Sequence, residues 1–323
     1  NLGLIKLRKL ISRYVADFFH VDYSAQSEIL VSVGVSEGID LALRALLNPG
    51  DEVIYHEPCY VSYSPSIVMA HGVAVPVATH KEDGFSLKAA ALEKAITPRS
   101  RVLMLNFPTN PTGALAPRAD LEEIAALCIK HDLIVLTDEI YSELIYGDTP
   151  HTSIASLPGM KDRCVLLHGF SKAFAMTGFR LGYACSPAPI IDAMMKIHQY
   201  SMLCAPMTSQ VAAIEALENG AKSVEKMKNA YHQRRDYMVR RLQQMGIDCH
   251  SPGGAFYVFP DIRKFGLTSK QFAMRLLEET CVAAVPGDAF GASGEGFLRC
   301  CYATGMDQIV EAMNRIEKFI KSL

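Results

Sequence analysis

At 323 residues the chain exceeds the size at which a single hydrophobic core stops growing, so one large unit with a smaller companion is expected, and an apolar half of the composition can fill both. Lys plus Arg number 32 against 34 Asp plus Glu, a net charge of −2, so no overall field selects nucleic acid or an anionic membrane; small molecules and other protein chains are the expected partners. Nine scattered cysteines, of which only Cys300 and Cys301 are adjacent, form no CxxC or His/Cys spacing suited to a metal. Buried thiols in a reducing cytoplasm, and no metal, are expected. No apolar run of about 18 residues or signal-peptide pattern marks membrane insertion or secretion.

Residues 4–19 carry Leu4, Leu7, Leu10, Ile11, Tyr14, Val15 and Phe18 at helical spacing, which predicts an amphipathic packing helix. The apolar run Ile29–Gly34 predicts a strand, and Val35-Ser36-Glu37-Gly38 opens a helix that Asn48-Pro49-Gly50-Asp51 stops. A strand, a glycine and a helix start form an anion cradle at Gly34-Val35-Ser36, because first-turn N–H groups and the positive dipole end favour phosphate. Alone this signal is weak, since most such junctions bind nothing.

Glu52–His56 predicts a second strand followed by the loop Glu57–Tyr60, and Tyr60 is placed either to stack on a planar ring or simply to pack. Further strands are expected at Val73–Ala78, Arg101–Phe107 and Leu133–Thr137, with helices at Leu87–Ile96 and 118–131. Asn110-Pro111-Thr112-Gly113 marks turns. Asp138 closes its strand as either a helix N-cap or a ligand group. This alternation predicts an α/β fold with a mainly parallel sheet covered by helices on both faces. After Cys185 come helices at 188–200, 207–218 and 222–245, then strands at Ala255–Phe259, Val282–Val285 and Phe297–Tyr302 with helices 269–280 and 307–322. A smaller α+β unit is expected there, with residues 1–218 as the large unit and 219–323 as the small one.

The stretch Leu166–Cys185, LLHGFSKAFAMTGFRLGYAC, carries the chemistry. Lys172 stands at a strand end, where partial desolvation lowers an amine's pKa and readies it to attack a carbonyl. Arg180, eight residues on, can hold a phosphate in fork geometry while Lys172 bonds an aldehyde of the same molecule. An aldehyde plus a phosphate suggests pyridoxal phosphate. By itself the stretch is equally compatible with a surface lysine in a turn and a structural ion pair.

Asn110-Pro111-Thr112-Gly113, Asp138 with Tyr141, Ser171-Lys172, Arg180 and Arg299 within Phe297–Ala303 recur in an order and spacing that resembles the class I/II aminotransferases of the fold type I pyridoxal-phosphate enzymes. The resemblance spans essentially the whole chain, and SKAFAMTGFRLGY is its most specific segment. It implies a seven-stranded-type sheet, pyridoxal 5′-phosphate as cofactor and a Schiff base at Lys172. It further implies amino-group transfer between an amino acid and a 2-oxo acid by way of pyridoxamine phosphate. Asp138 is expected to pair with the pyridine nitrogen, Tyr141 and Asn110 to donate to the ring 3′-oxygen, and Tyr60 to stack on the ring. Gly34, Val35, Ser36, Ser171 and Arg180 correspond to the phosphate cup, and Arg299, with Asn110, to the substrate-carboxylate site. Lys172 would also carry the Cα proton.

The family pattern also has departures. Gly169 occupies a place where many relatives carry a phosphate-binding Ser or Thr. Relatives have several tens of residues before the point matching Asn1, including an arm over the pocket and a tyrosine that reaches the neighbouring subunit's phosphate. Without them, cofactor binding and turnover would be weaker. A homodimer is expected, with Asn1–Leu10 and Tyr200–Gln210 near its two-fold. A carbon–sulfur lyase of the same fold uses nearly the same residues, and a non-catalytic regulator domain would need a DNA-binding segment that the sequence lacks. A nicotinamide-binding Rossmann fold would need GxGxxG after its first strand, also absent. No arginine can be assigned to a second substrate carboxylate, which favours neutral or aromatic amino acids.

Overall fold

The computed structural model describes residues 1–147 and 150–323. Helix α1 (Ile5–Phe19) buries Leu7, Ile11, Val15 and Phe19, one residue per turn. The large sheet is then laid down by β1 (Ile29–Ser32), β2 (Glu52–Glu57), β3 (Val73–Ala78), β4 (Ser100–Asn106), β5 (Ile134–Asp138), β6 (Cys164–Gly169) and β7 (Gly182–Cys185). Helices α2 (Gly34–Leu46), α3 (Tyr63–Met69), α4 (Ala89–Ala95) and α5 (Arg118–Lys130) alternate with the strands. The spatial order is β1-β7-β6-β5-β4-β2-β3, and only β7 runs against its neighbours.

Strand periodicity splits the core in two. Leu103, Leu105, Val135 and Leu166 face one helical layer, while Val102, Met104, Leu136 and Leu167 face the other. Both sides of β4, β5 and β6 are therefore dry, as their near-continuous apolar sequences require. Because all strands but β7 share a direction, β1, β2, β4, β5 and β6 end at one rim, and β7 begins there.

Helices α6 (Ala188–Ser201), α7 (Met207–Asn219) and the 24-residue α8 (Ala221–Gln244) follow. A three-stranded antiparallel sheet of β8 (Tyr257–Val258), β9 (Val285–Pro286) and β10 (Leu298–Cys301) comes next, with α9 (Ser269–Thr280) and α10 (Met306–Ser322) packed with it. A separate cluster unites Met238, Leu242, Phe272, Met313 and Phe319 with Tyr141 and Tyr146 of the loop after β5.

The observed strands of the small sheet are shorter than expected, since Ala255 takes a left-handed φ of 59° and breaks the run before β8. Helix α3 was not anticipated. It has seven residues and a proline, Pro65, in its first turn, where the missing N–H has no intrahelical partner to lose.

Candidate active site

The parallel strands deliver their terminal residues to a cavity of about 320 Å³ at the carboxyl rim. Its walls include Val35, Ser36, Tyr60, Asn110, Asp138, Tyr141, Ser171, Lys172, Arg180 and Arg299. All the expected site residues except Gly34 thus line one space, although they span four-fifths of the chain. Gly34 sits immediately behind it, with φ +75°, and a Cβ there would lie 2.7 Å from Arg180 Nη2.

Asp138 is buried at the end of β5. Its Oδ2 accepts from the Tyr63 hydroxyl at 2.9 Å and its Oδ1 from the Ile140 N–H at 3.2 Å. No helix starts there, so the carboxylate caps a turn and not a helix. Burial pushes its pKa up to about 6, against the opposing pull of those two hydrogen bonds. No Lys, Arg or His side chain forms an ion pair with it among the described residues.

Lys172 lies three residues beyond β6, half-buried, with its Nζ 5.8 Å from the Tyr141 ring centre and 5.5 Å from that of Phe256. Burial lowers its pKa, Asp138 works the other way, and Arg299 and Arg180 add to the lowering. The amine therefore gives up its proton more readily than a surface lysine.

The two arginines are held differently. Arg180 adopts φ 51° just before β7, and its Nη1 donates to the Thr177 carbonyl at 3.2 Å; the Thr177 hydroxyl in turn donates to the Ser171 carbonyl at 3.0 Å. Arg299 comes from β10 of the small sheet and lies between the rings of Tyr257 and Phe290, 4.6 and 4.7 Å from their centres. Its Nη1 donates to Asn110 Oδ1 at 2.9 Å. The Asn110 N–H donates to Asn106 Oδ1 at 3.1 Å, and Asn106 Nδ2 donates to the Asp138 carbonyl at 2.8 Å. One chain of hydrogen bonds thus links the base of the cavity to its free guanidinium. Neither arginine forms a carboxylate ion pair among the described residues.

The sequence reading missed Tyr63, Asn106, Tyr257 and Phe290. Tyr63 is three residues after Tyr60, and their rings meet edge to face at 5.8 Å. That i, i+3 spacing was a usable signal once a helix start was suspected. Tyr257 shares a hydrogen bond of 3.1 Å with the Tyr141 hydroxyl, a partnership across 116 residues that no local pattern announces. Gly169 has a steric explanation: a Cβ would lie 2.9 Å from Gly182 Cα and from the Leu181 carbonyl oxygen, so the close β6–β7 approach leaves no room for a hydroxyl side chain.

An α/β sheet with a buried carboxylate, a lysine of lowered pKa and two arginines free of carboxylates at its rim has the make-up of an enzyme site for an anionic, electrophilic ligand. Comparison with known proteins agrees. The family model for aminotransferase class I and II matches residues 2–316. The chain is 51% identical to a putative aminotransferase, YugH, of Bacillus subtilis and 43% identical to an aspartate aminotransferase of Pyrococcus abyssi, covering 99% of this chain and 83% of each relative. A solved aromatic aminotransferase from Pyrococcus horikoshii superimposes with a TM-score of 0.98 at 44% identity, over 99% of this chain and 87% of that one. The chain belongs to the class I and II aminotransferase family. It is a pyridoxal-phosphate-dependent enzyme that transfers an amino group between an amino acid and a 2-oxo acid.

The cavity suits that cofactor. Arg180 and the α2 start make a cationic cup whose depth a side chain at position 34 would fill. The ion-pair-free Asp138 suits a protonated ring nitrogen, and Lys172 suits an aldehyde.

Proposed function

We propose that these residues divide the work of transamination as follows. When bound, pyridoxal phosphate supplies an aldehyde for the amine and a ring that accepts the electron pair of the breaking Cα–H bond. Asp138 holds the ring nitrogen in its charged form, and Tyr60 covers the ring face. Tyr141 and Asn110 offer donors at the ring oxygen. The N–H groups of Gly34, Val35 and Ser36, with Ser171 and Arg180, bind the phosphate. Arg299 takes the substrate carboxylate as a bidentate pair and is kept in plane by Asn110 and the flanking rings. Lys172 Nζ would hold the cofactor aldehyde and, as a free amine, would be the base that removes the Cα proton and holds it for redelivery.

The observation that carries this assignment is the convergence of Lys172, Asp138, Arg180 and Arg299 on a single cavity. Borohydride reduction of the holoenzyme followed by peptide mapping tests it: label is expected on Lys172, and label on another lysine overturns it.

The reading extends to a large unit of residues 1–218 and a small one of 219–323, supported by the distinct cluster built on Met238, Phe272 and Phe319. It includes a homodimer, supported by the exposed apolar side chains of Tyr200, Met202, Leu203, Met207 and Val211, with Tyr200 88% and Leu203 69% exposed; sedimentation would check it. A cytoplasmic location accords with nine free cysteines, five of them buried. Neutral or aromatic amino donors are favoured by the tyrosines at positions 60, 141 and 257 around the cavity and by the aromatic aminotransferase among the solved relatives. A donor screen against 2-oxoglutarate and pyruvate would rank them.

A further inference from the structure

Helix α2 carries a carboxylate, Glu37, in the first turn whose amides are assigned to the phosphate. A negative charge there suits the helix dipole but opposes a bound dianion. The geometry directs it elsewhere. Glu37 Oε2 accepts the Val33 N–H at 2.5 Å, folding back onto the last residue before Gly34. Glu37 Oε1 meets His198 Nδ1 at 2.7 Å. His198 belongs to α6, which packs along α2, and its side chain is fully buried.

With Nδ1–H as the donor to Glu37, His198 Nε2 is left a bare lone pair, and no partner faces it among the described residues. That costs less than stranding a buried donor. Gly182 of β7 also leaves the turn no gap: a Cβ there would lie 2.6 Å from Val35 N and 2.7 Å from Gly34 C. The Val33–Val35 turn is thus held both by its close approach to β7 and by the Glu37–His198 pair.

We infer that Glu37 and His198 form a brace that holds the Val33–Gly34–Val35 turn by its Val33 N–H, leaving the N–H groups of Gly34, Val35 and Ser36 for the cofactor phosphate; this rests on the assignment of those three groups to the phosphate. Both are positioning residues. Their contribution should appear only for ligands that carry a phosphate, which separates it from a general role in folding.

The test titrates the apoprotein with pyridoxal phosphate and, separately, with pyridoxal, following the absorbance of the Lys172 adduct. Glu37→Asp keeps the charge but is one methylene too short to reach both partners. Its dissociation constant for pyridoxal phosphate should rise about tenfold, while that for pyridoxal stays within about twofold. His198→Leu should show the same selective loss. His198→Gln, which restores an N–H donor, should return the phosphate ligand's affinity to within about threefold of the parent. Equal losses for both ligands, no loss, or selective loss in only one of the first two variants would overturn the brace. If the parent itself forms no adduct at Lys172, the functional assignment fails instead, and the two failures are distinct.

Discussion

The two arginine-bearing ends of the cavity, proposed above for phosphate and substrate carboxylate, are built on different plans. At one end, the β1–α2 turn, β7 and Arg180 form a cup from backbone, glycine and a single guanidinium, all within the large sheet and its first crossover. At the other, Arg299 arrives from the small sheet and reaches Asn110, 189 residues away, across the space between the two sheets. The first end depends on local backbone fit. The second depends on how the two sheets are set against each other. Changes that disturb the packing of the small sheet should therefore reach the substrate before they reach the cofactor.

The sharpest challenge to that contrast comes from the residue both ends share. If Lys172 is the proton carrier proposed above, Lys172→Ala should lower kcat by about ten-thousandfold, with cofactor still retained by the cup. Steady-state turnover and cofactor content after gel filtration measure the two effects, and loss of the cofactor altogether would show the cup to be weaker than described.

Asp138→Asn should cost roughly a hundred- to a thousandfold in kcat, since a neutral amide leaves the ring nitrogen without its counter-charge. The apoprotein should respond in the opposite direction. The Asp138 pKa is raised from 3.8 to about 6 by burial, so its folded form holds a proton more tightly than its unfolded form does. Its stabilising contribution is therefore complete below about pH 4 and is lost as pH rises through about 6. At pH 7.5 the Asn variant of the apoprotein should be more stable than the parent by about 1–3 kcal/mol, a margin that closes towards pH 4. Thermal denaturation across that range is the check, and a pH-independent difference would contradict the burial argument.

Arg299→Lys addresses the substrate end alone. An ammonium offers no fork and stacks less well between Tyr257 and Phe290, so KM for the amino acid should rise about ten- to a hundredfold. The dissociation constant for pyridoxal phosphate should stay within about twofold. Parallel losses in both would mean that the two ends are not separable.

The smallest effect is expected at Lys81, which follows β3 and bridges Asp248 and Asp261 on the small-sheet side at 2.6 and 2.9 Å. Asp248 is exposed whereas Lys81 and Asp261 are partly covered, so Lys81→Met should cost about 1–2 kcal/mol. An increase in KM of less than about fivefold, with unchanged cofactor affinity, is the expected kinetic trace.

Legibility in the sequence followed the same division. Lys172, Ser171 and Arg180 stand within ten residues of one another between two apolar runs, so strand ends and spacing disclosed them. The dry double-sided strands β4–β6 were equally plain from their Val, Ile and Leu content. The environment of Arg299 was not. Phe290 and Tyr257 reach it only through the register Leu298↔Pro286 and Cys301↔Tyr257, and strands of two residues carry no periodicity from which to read a pairing. Tyr63 stayed hidden because a seven-residue helix is too short to display a repeating apolar face.

The reversed direction of β7 has a consequence of its own. A parallel strand in that place would need the chain to cross the whole sheet before returning, with a helix between lysine and arginine. Since β7 begins at the rim where β6 ends, twelve residues from Phe170 to Leu181 suffice, and Ser171, Lys172, Thr177 and Arg180 among them line the cavity. Lys172 and Arg180, the proposed anchor and phosphate clamp, therefore travel as one short cassette whose length is fixed at both ends by hydrogen-bonded strands. An insertion there would shift Lys172 against Arg180.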